Sequence, residues 1–302
     1  MDVSNPDRIV YPDAGFTKAD VVDHYERVAG LMLPHLAGSP LTLERYPRGI
    51  EAGGFMQKNA GAHFPKTIDR FETKKRDGTT TYPVVWDPAD IAYLANQGTI
   101  TFHAWTSRVA PLGRPVRIVI DLDPPAGAVA LAREAASLVG EALASLALPC
   151  APLATGSKGY HVIAPIAPAT PHGDVATMCH GIAALLSADR PDLFTTEFRR
   201  AYREGRVFVD WLRNTPGATT VVPWSLRASP GAPVAVPIRW DELDATEPDR
   251  WRLDSVARRV DAADPIAELM ADPPDATGAV AAVAHLVADR RIELEPFDRF
   301  RS

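Results

Sequence analysis

The sequence predicts an α/β fold in which two communicating β-sheet regions are flanked by helices, and three observations carry that prediction. β-prone runs alternate with amphipathic helical runs along most of the chain. The clearest of them, VRIVIDLD, AVALAREAASLVGEALASLAL and LATGSKGYHVIAPI, follow one another in strand–helix–strand order. No Ser/Gly-rich linker or internal repeat divides the 302 residues. One compact unit over 1–302 is therefore expected, with a C-terminal helical appendix from about residue 270 to 302.

The elements follow in order. Thr17 opens TKADVVDHYERVAGLMLPHL, with Asp20 placed for a capping box and Val21, Val22, Tyr25, Val28, Ala29 and Met32 on one helical face. Pro34 is expected to end or kink this helix. SPLTLERYPRG and the short run within GGFMQKNAG read as strands, and Asp77–Gly78 supplies a hairpin turn within TKKRDGTTTYPVVW. DPADIAYLANQG is a short helix capped by its aspartate, and TITFHAW returns to period two. VRIVIDLD is a strand stopped by Pro124–Pro125. Beyond LATGSKGYHVIAPI, helices are expected over GDVATMCHGIAALLSADR and TTEFRRAYREG, then a strand at RVFVD. VVPWSLRASPGAPVAVPIRWDEL is extended and proline-punctuated, and LDSVARRVDAADPIAELM and GAVAAVAHLVADRRIEL are helical.

Composition narrows the class. At 46% hydrophobic and 23% charged the chain is globular rather than disordered. Two cysteines, Cys150 and Cys179, exclude a disulfide framework or a repeated zinc-site spacing and point to a reducing compartment. The N-terminus lacks a basic segment followed by an apolar run, and no window approaches the roughly 18 apolar residues of a membrane span. A cytoplasmic protein without membrane contact is expected. The formal charge of −6 argues against an overall positive coat but leaves room for a local basic groove.

Chemistry gathers at strand ends. Asp121 and Asp123 alternate with Leu122, so both carboxylates share one face of their strand. Paired carboxylates suit a hard cation such as Mg²⁺ or Mn²⁺, and equally suit a solvated strand end. Asp210 closes RVFVD and reads either as a third metal ligand or as a turn acceptor. In ATGSKGYHV, Gly156 and Gly159 permit a close turn, Thr155 and Ser157 offer hydroxyls, and Lys158 brings charge toward an anion. The long glycine interval of a P-loop is absent. His161 on the following strand is placed to meet a phosphate, or to serve as a buried structural histidine.

In combination, FMQKNA, NQGTITFHAW, VIDLDPP, TGSKGYHV, RVFVDWLRN and VVPWSLRA run in the order found in the archaeo-eukaryotic primase superfamily. The chain resembles the polymerase domain of bacterial ATP-dependent end-joining DNA ligases and its standalone relatives. The resemblance implies a compact primase-like polymerase core and a template-directed nucleotidyltransferase. It extends primers and fills gaps from NTP or dNTP, with Mn²⁺ preferred or Mg²⁺. By the same resemblance Asp121, Asp123 and Asp210 hold the metal. Thr155, Ser157, Lys158 and His161 form the nucleotide-binding segment, Lys58 and Arg227 add triphosphate contacts, and His103 lies near the sugar. Lys18 matches a basic position that recognises a downstream 5′-phosphate, and Phe55 meets the template. The implied partners are primed, gapped or broken DNA, an end-joining ligase and an end-binding protein, with nucleoid association when bound to DNA. No room remains for a ligase or nuclease module. Two positions depart from the pattern: Met56 replaces a second aromatic after Phe55, and Trp224 replaces a tyrosine, which puts the nucleotide pocket's shape in question. Unprimed initiation and noncatalytic bridging of DNA ends are the competing expectations.

Overall fold

The computed structural model describes residues 1–75 and 78–295. Two short strands, β1 (Ile9–Tyr11) and β2 (Phe16–Thr17), lead into α1 (Lys18–Leu36). Thr17 caps this helix: its hydroxyl accepts from the Asp20 N–H at 3.3 Å, and the Asp20 carboxylate accepts from the Thr17 N–H at 2.7 Å. Val21, Val22, Tyr25, Val28, Ala29 and Met32 are all buried, so the face read from their spacing enters the core. The helix continues past Pro34 to Leu36. A proline in a final turn removes only a bond from a turn that is already ending.

Next come β3 (Leu41–Arg45), β4 (Phe55–Gln57), β5 (Asp69–Lys75), β6 (Gly78–Val84), α2 (Pro88–Asn96) and β7 (Thr99–Trp105). Asp87 caps α2 through the Ala89 N–H. β5 and β6 pair antiparallel, and Asp77 of the expected hairpin turn lies outside the described residues. The chain then forms β8 (Arg117–Asp123), α3 (Val129–Ser145), β9 (Ala151–Ala154), β10 (Tyr160–Pro165), α4 (His172–Asp189), β11 (Phe194–Thr195) and β12 (Val207–Asp210). It finishes with β13 (Thr219–Val221), β14 (Val236–Pro237), α5 (Ala257–Val260), α6 (Pro265–Leu269) and α7 (Thr277–Asp289).

The TTEFRRAYREG segment is a loop with a single 3-10 turn at Arg200–Tyr202, not the helix its composition suggests. Arg203 explains the difference. Its guanidinium donates to the carbonyls of Glu197 and Phe198 and lies 4.1 Å over the Phe208 ring. Those side-chain bonds offer the backbone an alternative to helix.

A six-stranded sheet runs β11-β12-β8-β10-β9-β14, and a four-stranded one runs β13-β7-β3-β4. In the larger sheet α3 connects β8 to β9 across one vacant place, which β10 fills antiparallel to both. Alternation along β8 sorts its side chains: Ile118, Ile120 and Leu122 enter the core under α3 and α4, while Val119 joins a smaller apolar cluster on the opposite face. Asp121 and Asp123 follow Val119 on that face. A second large core joins α1 to the four-stranded sheet and takes in Trp224, Leu226, Val234 and Val236. α7 packs on α4 through Ala279 and Val283. Among the described residues no helix is long and apolar enough to cross a membrane.

One buried pin between these layers is His24 of α1, whose Nε2 lies 3.0 Å from the Trp224 carbonyl oxygen. Burial pushes its pKa down to about 4. The unfolded chain takes up that proton near pH 6.5 and the folded one only near 4, so acidification through this window favours unfolding. Between pH 7 and 5 the imbalance is about 2 kcal/mol. His24→Gln retains a donor for the carbonyl but cannot titrate. Urea unfolding at the two pH values is expected to show the variant losing about 2 kcal/mol less stability than the parent; equal losses would remove His24 from the acid response.

Candidate active site

The site is assembled by strand register. β12 lies antiparallel to β8 with Asp210 opposite Asp121 and Phe208 opposite Asp123. On the other side of β8, His161 of β10 is opposite Asp121. Three adjacent strands thus present Asp210, Asp121 and His161 as one row, with Asp123 two residues along. Directly opposed residues in such a ladder have Cβ atoms about 5 Å apart.

The β9–β10 turn is pressed against this row. Thr155 closes it by donating its hydroxyl to the Gly159 carbonyl at 2.6 Å. A Cβ at Gly159 would fall 2.2 Å from the Leu122 carbonyl oxygen, so only glycine lets the turn sit beside the end of β8. Gly156 has a φ of +67°, the left-handed conformation that glycine adopts without strain. The result brings the exposed Lys158 into an ion pair with Asp123.

Arginines complete the charge balance. Arg213, on the 3-10 turn Trp211–Asn214 after β12, places Nε 3.1 Å from Asp121 and Nη2 2.9 Å from Asp210. Arg203 pairs with Asp123 at 2.5 Å, and His161 Nε2 lies 3.4 Å from Asp121. Burial works to raise the Asp121 pKa, but His161 and Arg213 overcome it and hold this carboxyl well below its usual range. Asp210 goes the other way: burial and the Asp121 charge raise it, against the pull of Arg213.

Above the row opens a cleft of about 650 Å³, a size suited to a small-molecule ligand. The six-stranded sheet forms its floor, and His103 of β7 with Thr219, Thr220 and Val221 of β13 contribute a wall from the four-stranded sheet. Six cationic side chains line it, Lys158, Arg199, Arg200, Arg203, Arg213 and Arg227, against the carboxylates of Asp121, Asp123 and Asp210. A chain with a net charge of −6 therefore carries a positive cleft.

Comparison with known proteins decides which family this arrangement represents. A family model described as the primase-polymerase domain of LigD matches residues 17–266. The chain belongs to the LigD primase-polymerase family. It is 35% identical over 276 residues to the multifunctional non-homologous end joining protein LigD of Mycolicibacterium smegmatis, covering 90% of this chain and 36% of that protein. Against the bifunctional LigD of Bacillus subtilis it is 30% identical over 257 residues, 84% of this chain and 41% of the relative. The solved polymerase domain of Mycobacterium tuberculosis ligase D, in complex with DNA, superposes with a TM-score of 0.84 at 34% identity. That match covers 91% of this chain and 99% of the other. The chain thus spans about a third to two fifths of the length of these LigD proteins.

Of the residues singled out from the sequence, the cleft of this LigD-family chain gathers Asp121, Asp123, Asp210, His103, Thr155, Ser157, Lys158, His161 and Arg227. Thr155 spends its hydroxyl on the turn, whereas Arg227 makes one long bond, 3.5 Å, to the Thr155 carbonyl and no ion pair among the described residues. Lys58, Phe55 and Lys18 lie outside the cleft lining. Lys58 is exposed just beyond β4. Phe55 is half exposed, beneath the Arg45 guanidinium at 5.5 Å, and Met56 is equally exposed. Lys18 is buried in a second, smaller cavity with Arg8, and its ammonium donates to the carbonyl and hydroxyl of Ser4 at 2.6 Å. It is not a free surface charge.

Trp224 corrects one expectation. Its ring is buried in the core with Nε1 donating to Asp264 at 2.9 Å and does not line the cleft. The larger aromatic is absorbed by packing. Arg203 and Arg213 were missed in the sequence, although RVFVDWLRN contains Arg213. The signal was its offset of three from Asp210, which a turn rather than a strand converts into contact.

A stability prediction follows from the row. In the unfolded chain Asp210 ionises near its usual value, while in the fold it holds its proton to higher pH, so at pH 7 its charge opposes folding. Asp210→Asn removes the charge while its Oδ1 can still accept from the Leu212 N–H. Unfolding without divalent cations is expected to show a gain of about 1 kcal/mol at pH 7, shrinking as pH falls and vanishing below about pH 3 where both states are protonated. A net loss at pH 7 would mean that the Arg213 bridge outweighs the repulsion.

Proposed function

We propose that this chain is a template-directed nucleotidyltransferase that extends DNA primers and fills short gaps at broken ends during non-homologous end joining. The observation that carries this reading is the row Asp210–Asp121–His161, with Asp123 beside it, at the floor of a cleft otherwise lined by cations. Template pairing selects the nucleotide, and the protein supplies geometry and charge.

The donor set fits hard divalent ions in kind. Asp121, Asp123 and Asp210 offer oxygen ligands on one face, and they are the residues that would hold Mn²⁺ or Mg²⁺. Such ions, when bound, lower the pKa of an attacking hydroxyl and offset charge on the reacting phosphate and the departing pyrophosphate. Among the described residues no three His, Cys, Asp or Glu side chains are gathered as a metal-binding group. The carboxylates are instead paired with cations: Arg213 spans Asp121 and Asp210, while Arg203 and Lys158 hold Asp123. On this reading a bound cation would take the place of these side chains at the carboxylates.

Around that triphosphate, Ser157, Lys158 and His161 act from the β9–β10 segment and Arg227 from the opposite wall. His161 lines the cleft with its Nε2 3.4 Å from Asp121, which places the ring beside the site a phosphate would occupy. Arg227 is unneutralised and positioned for charge-assisted bonding. His103 faces the sugar. Phe55, held open on β4, stacks on a template base, and the exposed Lys58 adds backbone charge. The names of the relatives place them in non-homologous end joining. By that analogy the substrates are primed, gapped or broken DNA with a 5′-phosphate, and the partners an end-joining ligase and an end-binding protein.

Primer extension across a one-nucleotide gap tests the assignment. The parent protein is expected to add one templated nucleotide with Mn²⁺ and, more slowly, with Mg²⁺. Asp210→Asn should suppress addition at least a hundredfold by an order-of-magnitude estimate while keeping DNA affinity. Unimpaired extension by the folded variant would remove Asp210 from catalysis, and inactivity of the parent on gapped DNA would overturn the polymerase reading.

The Lys18 cavity contributes a separate expectation. Its two neighbouring cations, Lys18 and Arg8, line a recess with Ser4 and Asn96, and burial followed by the Arg8 charge lowers the Lys18 pKa. An anion entering this recess would relieve that repulsion. Lys18→Ala is expected to weaken binding of gapped DNA by about tenfold when the downstream 5′ end carries phosphate and by less than twofold when it carries hydroxyl, at matched salt. Equal losses on the two substrates would make Lys18 a structural lysine.

A further inference from the structure

Glu44 is a partly buried carboxylate on β3, whose Leu41, Thr42 and Leu43 are buried, and nothing in the reaction described above uses it. β3 pairs with β7 so that Thr42 is opposite His103 and Glu44 is opposite Thr101. Glu44 and His103 are therefore diagonal neighbours on one face of the four-stranded sheet. The carboxylate is held on two sides: Oε1 accepts from the Tyr46 hydroxyl at 2.7 Å, and Oε2 lies 3.5 Å from His103 Nε2. That Nε2 is sealed from solvent and has no hydrogen-bond partner among the described residues, so the Glu44 carboxylate is the acceptor within its reach, while the ring itself lines the cleft.

We propose that Glu44 is the positioning residue of the sugar site, holding the His103 imidazole with its proton on Nε2 and so leaving Nδ1 to accept a hydrogen bond from the 2′-hydroxyl of a ribonucleotide. The proposal rests on the reading of the cleft as a nucleotide site. Its physical basis is the tautomer choice of a neutral imidazole: a carboxylate beside one nitrogen retains the proton there and makes the other an acceptor. The charges facing His103 agree with a neutral, oriented ring. Burial, Arg227 and Arg213 favour loss of its charge, with Glu44 opposing them. The His103 contact in turn is the largest influence on Glu44, whose pKa falls to about 2. Glu44 is thus ionised at any working pH. A deoxyribonucleotide offers no hydroxyl to Nδ1, so discrimination at the 2′ position depends on a residue that need not touch the nucleotide.

The test uses the full chain as parent, Glu44→Gln, Glu44→Asp, His103→Ala and the Glu44→Gln/His103→Ala double variant. Single-nucleotide gap extension with ATP and with dATP gives the ratio of the two efficiencies, and NMR of the ring carbons in protein free of nucleotide gives the His103 titration. In Glu44→Gln the ribo-to-deoxy ratio is expected to fall about three- to tenfold, the range of one hydrogen bond, and the His103 titration to move down by about one unit. Glu44→Asp, which keeps the charge at shorter reach, should fall between the two and decides the matter if the glutamine variant does not fold. In the His103→Ala background the glutamine substitution should change the ratio no further. A normal ratio in a folded, active Glu44→Gln protein overturns the proposal, as does an equal change with and without His103. If the parent extends neither nucleotide, the reading of the cleft fails and this role falls with it; an active parent with an unchanged ratio in Glu44→Gln sinks this role alone.

Discussion

The antiparallel pairing of β8 with β12 imposes the constraint around which the site is built. It sets Asp210 directly across from Asp121 with Asp123 on the same face, and carboxylates so placed repel one another in a partly desolvated setting. Every neighbouring feature of the floor answers that repulsion. The turn after β12 returns Arg213 to both acids, the loop before β12 sends Arg203 to Asp123, and the β9–β10 turn adds Lys158. Gly159 matters because it allows that last turn to approach the end of β8 at all.

The segment 224–227 between β13 and β14 is fastened to β1, α1 and β7 by hydrogen bonds from buried side chains, and those bonds place the remaining groups of the cleft. Tyr11 donates to the Arg227 carbonyl at 2.9 Å, and the Leu226 N–H donates to the Tyr25 hydroxyl at 2.9 Å. Ser225 Oγ accepts from the Phe102 N–H at 2.8 Å, one residue before His103. Asp264 joins His35 of α1 to Trp224 while capping α6. Arg227 and His103 therefore depend on α1 and β1 for their positions, far away in sequence from either. Loss of any one bond leaves a buried polar group unpaired, which costs more than the bond's net contribution.

Much of this was legible in the residues. Thr17 with Asp20 marked the start of α1, period two in VRIVIDLD marked β8, and alternation alone placed Asp121 and Asp123 opposite Leu122. What periodicity could not supply was strand order. Nothing local says that β12 and β10 flank β8, so the row Asp210–Asp121–His161 emerges only from tertiary pairing. The wording of the motifs anticipated it through family resemblance. The failures were local conformations decided by distant partners. Arg203 holds its own loop out of a helix by binding carbonyls and reaching Asp123, and Trp224, at a positive φ of 70°, keeps its ring out of the cleft lining and bonded to Asp264. The burial of Lys18 against Ser4 was not legible, because Ser4 has no pattern of its own.

The same cations that quiet the carboxylates also define what the cleft can accept. With six positive side chains around three acids, an incoming polyanion is attracted by the cleft as a whole even though the protein is acidic overall. Field lines in a low-dielectric recess concentrate at its mouth, where Arg199 and Arg200 remain exposed, so attraction begins before any carboxylate contact is disturbed. If the cleft takes a triphosphate with divalent ions, as proposed, the triphosphate would offer Arg203, Arg213 and Lys158 a stronger partner than a carboxylate, and the ions would offer the carboxylates a stronger partner than a guanidinium. Each exchange favours the other, because neither set of charges need be left buried and unpaired while its partner changes. On the proposed reading, substrate and metal loading would be coupled in this way by the charge balance of the floor itself.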